Sequence, residues 1–366
     1  MRVVLQLRGP LDPETPVNGA VEALRVMGRL FEPKSLEEMA GPWRIVVYTV
    51  LGFWTLVVLF PLYWVLVTSF KIEVEVDGGP YFIPFIDFTP TLDAWNFMLL
   101  RNNTVGPYFN SIVVTLSSTV LALIVGALAA YALVRIRFQV KLAAVTTFLL
   151  LLVAVIVAVA ALHVPWQAAG AVAIALFLLA LGTFVRRFNA AVGNNDIEFW
   201  MISNRIMPPI VAVLPIYVMF QHLQLLDTRF ALIATYTGVN LPIVVWLTRD
   251  FFAGVPLDLE ESAEIDGASK FRVFFTIALP LVRSGLAATF MLVFILAWNE
   301  FLLALFLTNA KAQTMPVLVA AQNTTRGPQW WYMSVLIVIM IAPVIVIAGF
   351  LQKHIARGLL VGAVKG

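Results

Sequence analysis

The feature that most constrains this chain is the recurrence of apolar runs long enough to cross a lipid bilayer. A run of about 18 or more such residues satisfies its own backbone as a helix in hydrocarbon. Eight stretches read this way: Ile45–Phe70, Ser111–Val134, Leu142–Leu162, Ala168–Val185, Ile206–His222, Phe230–Thr248, Ser284–Leu307 and Met333–Leu351. With 61% hydrophobic and 12% charged residues, an ordinary soluble domain is excluded. The expected fold is all-α and polytopic. Only His163–Gln167 separates the third and fourth runs, so 142–185 reads as a membrane hairpin. Pro208, Pro209 and Pro215 mark the next span as bent or broken, and Gly238 and Pro242 interrupt the one after it.

Charge placement orients these spans. With the N-terminus inside, all lysines and arginines among the 24 fall on the cytoplasmic side except Lys71, Arg101, Arg229, Lys311 and Arg326. This is the inside-positive bias of membrane proteins, and it places both termini in the cytoplasm. Residues 1–44 form a basic cytoplasmic arm, in which Asn18–Leu30 could be a short amphipathic helix. Residues 71–110 form a periplasmic loop, 189–205 a polar loop, and 352–366 a cytoplasmic tail. No removable signal peptide precedes the first span.

The longest structured polar interruption in the second half is Glu261–Pro280, ESAEIDGASKFRVFFTIALP, inside a cytoplasmic loop spanning 254–282. Pro256 suits a helix start, and Asp258, Glu260 and Glu261 favour the positive end of a helix dipole. Gly267 can take the left-handed conformation that ends a short helix. Ser269 can cap the next, in which Phe271, Phe274, Phe275 and Ala278 would form one apolar face. Helix, glycine turn and helix then lie across the membrane surface, where their use is to dock something outside the membrane.

Other chemistry is sparse. There is no cysteine, hence no disulfide or thiolate site. No G-x-x-x-x-G-K-[ST] phosphate loop occurs, so transport driven by ATP would need a separate ATPase. His163, His222 and His354 sit near different span ends without metal spacing. Trp298, Asn299 and Glu300 stand inside an apolar run, and Asn240 stands in a Gly- and Pro-broken one. They are candidates for a polar pathway wall, with helix-packing hydrogen bonds as the equal alternative. Nothing suggests nucleic-acid binding.

The polar loop resembles the EAA loop of ABC-importer permeases, with Glu261, Ala263, Asp266, Gly267, Ala268, Phe274, Ile277, Leu279 and Pro280 in register and Ser262 replacing the usual second alanine. YFNS at 108–111, AYALVRIRF at 130–138, AWNEF at 297–301 and RGLLVGAVKG at 357–366 resemble the carbohydrate branch, specifically the maltose-type second permease subunit. The resemblance implies a type I importer permease domain over 108–351. It has six core spans, with the 142–185 hairpin as an insertion. An even number of inserted spans preserves the orientation of everything after it. The resemblance also implies a second permease subunit, two ATPase subunits that bind the ATP and Mg, and a periplasmic or lipid-anchored sugar-binding protein. This chain would hold no cofactor or metal and carry out no bond chemistry. Glu261, Ser262, Ala263, Asp266, Gly267, Ala268, Phe274 and Pro280 would then dock the ATPase. Arg357, Gly358, Gly362 and Lys365 of the tail would also reach it. The implied location is a bacterial or archaeal cytoplasmic membrane, and the implied cargo is a disaccharide, small oligosaccharide or polyol-like solute, with a lean to an α-glucoside. Rival readings are an importer of the same superfamily for amino acids or phosphate, an ion-coupled secondary transporter, and a membrane enzyme. The last lacks a catalytic cluster.

Overall fold

The computed structural model describes residues 41–206, 208–325 and 327–363. Residues 1–40 of the basic arm, including the expected helix at 18–30, lie outside these, as does Lys365. The chain divides into two compact units, one ending at Pro90 and the other beginning at Thr91. The boundary falls inside the expected periplasmic loop, which is more structured than its composition suggested. It carries short helices at Glu73–Asp77, Asp93–Asn96 and Phe97–Arg101.

The first unit contains helix α1 (Gly41–Thr68) and a folded segment after it. Lys71 is buried there. Its Nζ donates to the Tyr81 carbonyl at 2.6 Å and stands 4.2 Å from the centre of the Trp64 ring. Burial lowers its pKa, against the pull of Glu75 and Asp87. The Asp87 carboxylate accepts the Ile83 and Phe82 N–H groups, both at 2.8 Å, and these hold it below the usual carboxylate range.

The second unit contains α2 (Val105–Arg135), α3 (Leu142–Ala160), α4 (Trp166–Gly182), α5 (Asn194–Ile206), α6 (Pro209–His222) and α7 (Arg229–Ala253). These are followed by α8 (Leu257–Ile265), α9 (Lys270–Leu281), α10 (Arg283–Trp298), α11 (Leu302–Leu307), α12 (Met315–Ala320) and α13 (Trp330–Ala363). Among the described residues six helices are long and apolar enough to cross a membrane: α1, α2, α3, α4, α7 and α13. The other two expected spans are shorter. One is α6, with 14 residues. The other, read as Ser284–Leu307, is not continuous. It breaks at Asn299–Phe301, where the Glu300 carboxylate accepts the Leu303 N–H at 3.0 Å and so caps α11. Asn299 thus ends α10, and the Glu300 side chain satisfies a free N–H in the first turn of α11.

Two further expectations are corrected. The stretch 189–205 is largely helix α5 rather than a loop. Its Asn194 amide donates to the Leu133 and Ile136 carbonyls and accepts the Phe138 N–H, and its Glu198 pairs with Arg249. Polar composition had hidden an amphipathic helix bound by its polar side. Helix α7 also runs unbroken through Gly238 and Pro242. Membrane helices tolerate proline where packed neighbours support the backbone, and Val244 and Val245, just after it, are fully buried.

The core is built on α2 and α7, which run parallel. Arg229 meets Asn110, Thr237 meets Ser118, Gly126 lies under Val244, and Tyr131 meets Phe252. The crossing is close because Gly126 lacks a side chain. A Cβ there would stand 2.5 Å from Val244 Cγ1 and 2.9 Å from its Cβ. Overpacking of this kind costs about 1–3 kcal/mol. Gly126→Leu is therefore expected to lower the melting temperature of the detergent-solubilised protein by several degrees, and Val244→Ala in the same chain to recover part of the loss. An unchanged melting temperature in Gly126→Leu alone would show that the crossing is looser than described.

The hairpin α3–α4 is closed at its base by a two-stranded clasp. Strand β1 (Val140–Lys141) pairs antiparallel with β2 (Ala191–Val192), Val140 opposite Val192 and Lys141 opposite Ala191.

Candidate functional site

The segment from Val255 to Leu281 folds as the local chemistry requires. Helix α8 closes in a Schellman motif: the Ala268 N–H donates to the Ala263 carbonyl at 2.9 Å and the Gly267 N–H to the Glu264 carbonyl at 3.0 Å. Gly267 has φ +85°, a conformation that a side chain disfavours. The Ser269 hydroxyl then accepts the Arg272 N–H at 3.3 Å and caps α9. A π-turn over Phe274–Ala278 interrupts α9, and beyond Pro280 the chain bends by 79° at Val282 into α10.

That π-turn changes the apolar face. Of the expected set, only Phe274 and Ala278 are buried, together with Val273, while Phe271 and Phe275 are 72% and 55% exposed. The wider turn shifts the side-chain phase away from ordinary helical spacing. Phe274, one of the expected docking residues, lies on the inner side of the loop. It is 3% exposed, and its ring packs 5.1 Å from Tyr131 and 5.8 Å from Phe252, so it holds the loop to the body instead of facing outward. Glu261, Ser262, Asp266, Gly267 and Pro280 are exposed, and Ala263 and Ala268 are half-buried.

The residue that fastens the loop is one that the sequence offered only as an acid at a helix start. Glu260, 4% exposed, is gripped from α2. Arg135 donates through Nε at 2.9 Å and through Nη2 at 2.7 Å to its Oε1, and the Tyr131 hydroxyl donates to its Oε2 at 2.8 Å. The same Nη2 reaches the Val255 carbonyl at 2.8 Å and the Phe252 carbonyl at 3.2 Å. One guanidinium thus joins the end of α2, the last carbonyls of α7 and the first turn of α8. The carboxylate's two oxygens are both satisfied, the condition for a buried charge pair to be tolerated.

The opposite end of the α2–α7 pair carries a second polar knot. Asp227, at φ +56°, accepts backbone N–H groups of Asn309, Ala310, Lys311 and Ala312 at 2.9–3.2 Å. Burial alone would raise its pKa, but these four donors outweigh it and keep the carboxyl below its ordinary range. Asn110 donates to the Lys311 and Gln313 carbonyls and accepts from Arg229 at 2.7 Å.

The four expected pathway residues do not converge. Trp298 and Asn299 line an apolar cavity of about 600 Å³ with Phe301, Met333, Met340 and Val344. The Trp298 Nε1–H is held by the Met340 carbonyl at 3.1 Å. Asn240 is buried and donates to the Tyr236 carbonyl of its own helix, and Glu300 caps α11. In the tail, the backbone of Arg357, Gly358 and Gly362 continues α13.

Residues 197–361 match the family described as binding-protein-dependent transport system inner membrane component, a match that starts beyond the hairpin. Over 309 residues the chain is 33% identical to "Probable ABC transporter permease protein y4oR" of Sinorhizobium fredii, covering 84% of this chain and 91% of that one. This chain belongs to the permease family of binding-protein-dependent ABC importers. The permease is also 29% identical to the trehalose/maltose transport system permease protein MalG of Thermococcus litoralis, over 85% of this chain and 93% of that one. It is 26% identical to the diacetylchitobiose uptake system permease protein NgcG of Streptomyces coelicolor, over 87% and 88%. Its fold is that of a chain in the crystal structure of a bacterial ABC transporter involved in the import of the acidic polysaccharide alginate. The TM-score is 0.55 at 21% identity, covering 86% of this chain and 96% of that one. The permease is a multi-pass membrane protein and a transport component, of a family in which an EAA loop is a feature.

Proposed function

We propose that the permease is one of two membrane subunits of an ATP-driven carbohydrate importer, with eight membrane passages, both termini in the cytoplasm, and the EAA loop seated in a partner ATPase. The observation that carries this is the two-sided loop. Glu260 and Phe274 lock it onto α2 and α7, while Glu261, Gly267, Phe271 and Phe275 are left outward. Such a loop can take load from a partner and pass it to the transmembrane helices. ATP and Mg belong to that partner, and a soluble binding protein delivers the cargo. The tail, including Arg357 and Gly358, is read as a further ATPase contact. The names of the trehalose/maltose and diacetylchitobiose relatives support a disaccharide or small oligosaccharide cargo, and the first of them favours an α-glucoside.

The test is uptake in liposomes holding the permease, its neighbouring permease and ATPase, with the cognate binding protein outside. Labelled maltose, trehalose, diacetylchitobiose, a polyol, an amino acid and phosphate are offered in turn. ATP-dependent uptake of a saccharide is expected. Uptake of the amino acid or phosphate alone would overturn the carbohydrate assignment, and uptake without the ATPase would overturn the importer itself.

A further inference from the structure

The hairpin α3–α4 has no role in the reading above, yet its base gathers charge in an unusual way. Pairing of β1 with β2 returns the chain to its point of departure, and the Leu142 N–H donates to the Ala190 carbonyl at 2.8 Å. Lys141 Nζ reaches the Arg186 carbonyl at 3.0 Å, across 45 residues of sequence. Arg137, Lys141, Arg186 and Arg187 are thereby brought to one collar. From Ile136 to Asn195 there is no aspartate or glutamate, and the next two acids are engaged elsewhere, Asp196 accepting the Gly193 N–H beside β2 and Glu198 pairing with Arg249. Among the described residues none of the four cations has an ion-pair partner, and Arg137, Arg186 and Arg187 are exposed.

Three other cations of the unit are matched by acids, whereas Arg101, Arg229, Arg272, Arg283 and Lys311, like the collar, have no acidic partner among the described residues. Arg135 is matched by Glu260, Arg249 by Glu198 and Lys270 by Glu264. The general bias of membrane proteins for basic residues on one side accounts for the sign of the collar. It does not account for the lack of an acidic partner on any of the four, since the EAA loop at the same end of α2 carries Asp258, Glu260, Glu261, Glu264 and Asp266. Four like charges held together repel one another unless anions come from outside.

The surroundings name the anion's chemistry. Beyond the collar the shaft is apolar and exposed, with Leu150 71% and Ile174 63% accessible. Phe184 and Phe188 pack together beside Arg186 and Arg187 with ring centres 4.8 Å apart, and Phe199 and Trp200 of α5 are 76% and 67% exposed. Of these rings Trp200 is the amphipathic kind that settles at the headgroup level of a bilayer. A soluble anion would use the cations and leave the shaft bare. A phospholipid with an anionic headgroup satisfies both, its phosphate on the collar and its acyl chains along α3 and α4.

We propose that the base of the inserted hairpin is a binding site for anionic phospholipid, built by Arg137, Lys141, Arg186 and Arg187. The full-length permease is purified and mixed with equal amounts of phosphatidylglycerol and phosphatidylcholine, and the retained lipid is read by native mass spectrometry. Wild type is expected to prefer phosphatidylglycerol. Replacing Arg186 and Arg187 by Gln, which leaves Arg137 and Lys141 to maintain orientation, is expected to reduce that preference about tenfold. Lys at both positions should retain it. The inference is overturned by an unchanged preference in the Gln variant, by equal retention of the two lipids in wild type, or by a wild type that ignores both and is stabilised by an acidic peptide. That last result would mark the collar as a protein contact. Insertion of the Gln variant is checked by labelling single cysteines at Asp87→Cys and Ser269→Cys, possible because the chain has no cysteine of its own.

Discussion

Glu261→Lys and Gly267→Asp are each expected to abolish uptake while leaving sugar binding by the soluble receptor untouched. Both residues are exposed in the chain alone, and neither supports the fold from within. A Cβ on Gly267 would meet nothing within 4 Å, so a side chain there is tolerated by the surrounding atoms. What it meets instead is backbone strain of about 1–2 kcal/mol at φ +85° and, on docking, the wall of a partner cleft. In the proposed docking, reversing the charge at Glu261 replaces a pair with a cationic partner side chain by a repulsion. Breaking a desolvated interfacial ion pair typically costs about 2–5 kcal/mol. The measurement is uptake together with recovery of the ATPase on the purified permease. Lost ATPase recovery is the expected signature of both, with a normal melting temperature in Glu261→Lys and one lowered by a few degrees in Gly267→Asp. Full uptake and full recovery in both variants would remove the loop from its docking role.

Glu260→Ala is expected to act differently, although it alters the adjacent residue. It leaves the Arg135 guanidinium buried without its anion, which typically costs about 3–5 kcal/mol. The first turn of α8 loses its tether to α2. Amide hydrogen exchange over 257–265 should rise sharply, with exchange in the α2–α7 crossing near Gly126 unchanged. Stability should return when Arg135→Leu and Tyr131→Phe are added, because apolar replacement of a buried pair is often neutral or better. Uptake should not return with it, since the loop is then packed but no longer gripped. Exchange over 257–265 equal to wild type in Glu260→Ala would show that Phe274 and its aromatic partners suffice to hold the loop.

These two neighbouring glutamates mark where sequence reading succeeds and where it stops. The Schellman closure at Gly267 and the cap at Ser269 were legible because each depends on residues within five positions of one another. The grip on Glu260 was not. Its partners lie 125 and 129 residues away, and a carboxylate in a first helical turn already has an adequate local explanation. The apolar face of α9 was misassigned because Phe271 and Phe275 obey ordinary helical spacing, whereas the chain inserts a π-turn that no residue type announces. The spans of α2, α3, α4, α7 and α13 were plain from hydropathy. The short α6 and the interruption at Asn299–Phe301 were harder, since an apolar run does not reveal where a glutamate will cap a new helix.

The parallel course of α2 and α7 has a topological consequence. For both to traverse the bilayer, the chain leaving α2 at Arg135 must regain its starting side before it reaches Arg229. That takes an odd number of passages. The out-and-back hairpin supplies two, so the third falls to α6. Its 14 residues rise only about 21 Å, against a hydrocarbon layer of about 30 Å. The remaining depth falls to the flanking segments, the end of α5 on one side and the non-helical turn 223–228 on the other. Non-helical backbone persists in a membrane only where protein shields it or water reaches it. Val213 and Phe220 of α6 are already sealed against Leu232, Tyr236, Leu303 and Leu307. Pro208, at the entrance to α6, has no N–H to satisfy and begins the passage. The wet interior of the permease is therefore to be sought beside the ends of α6.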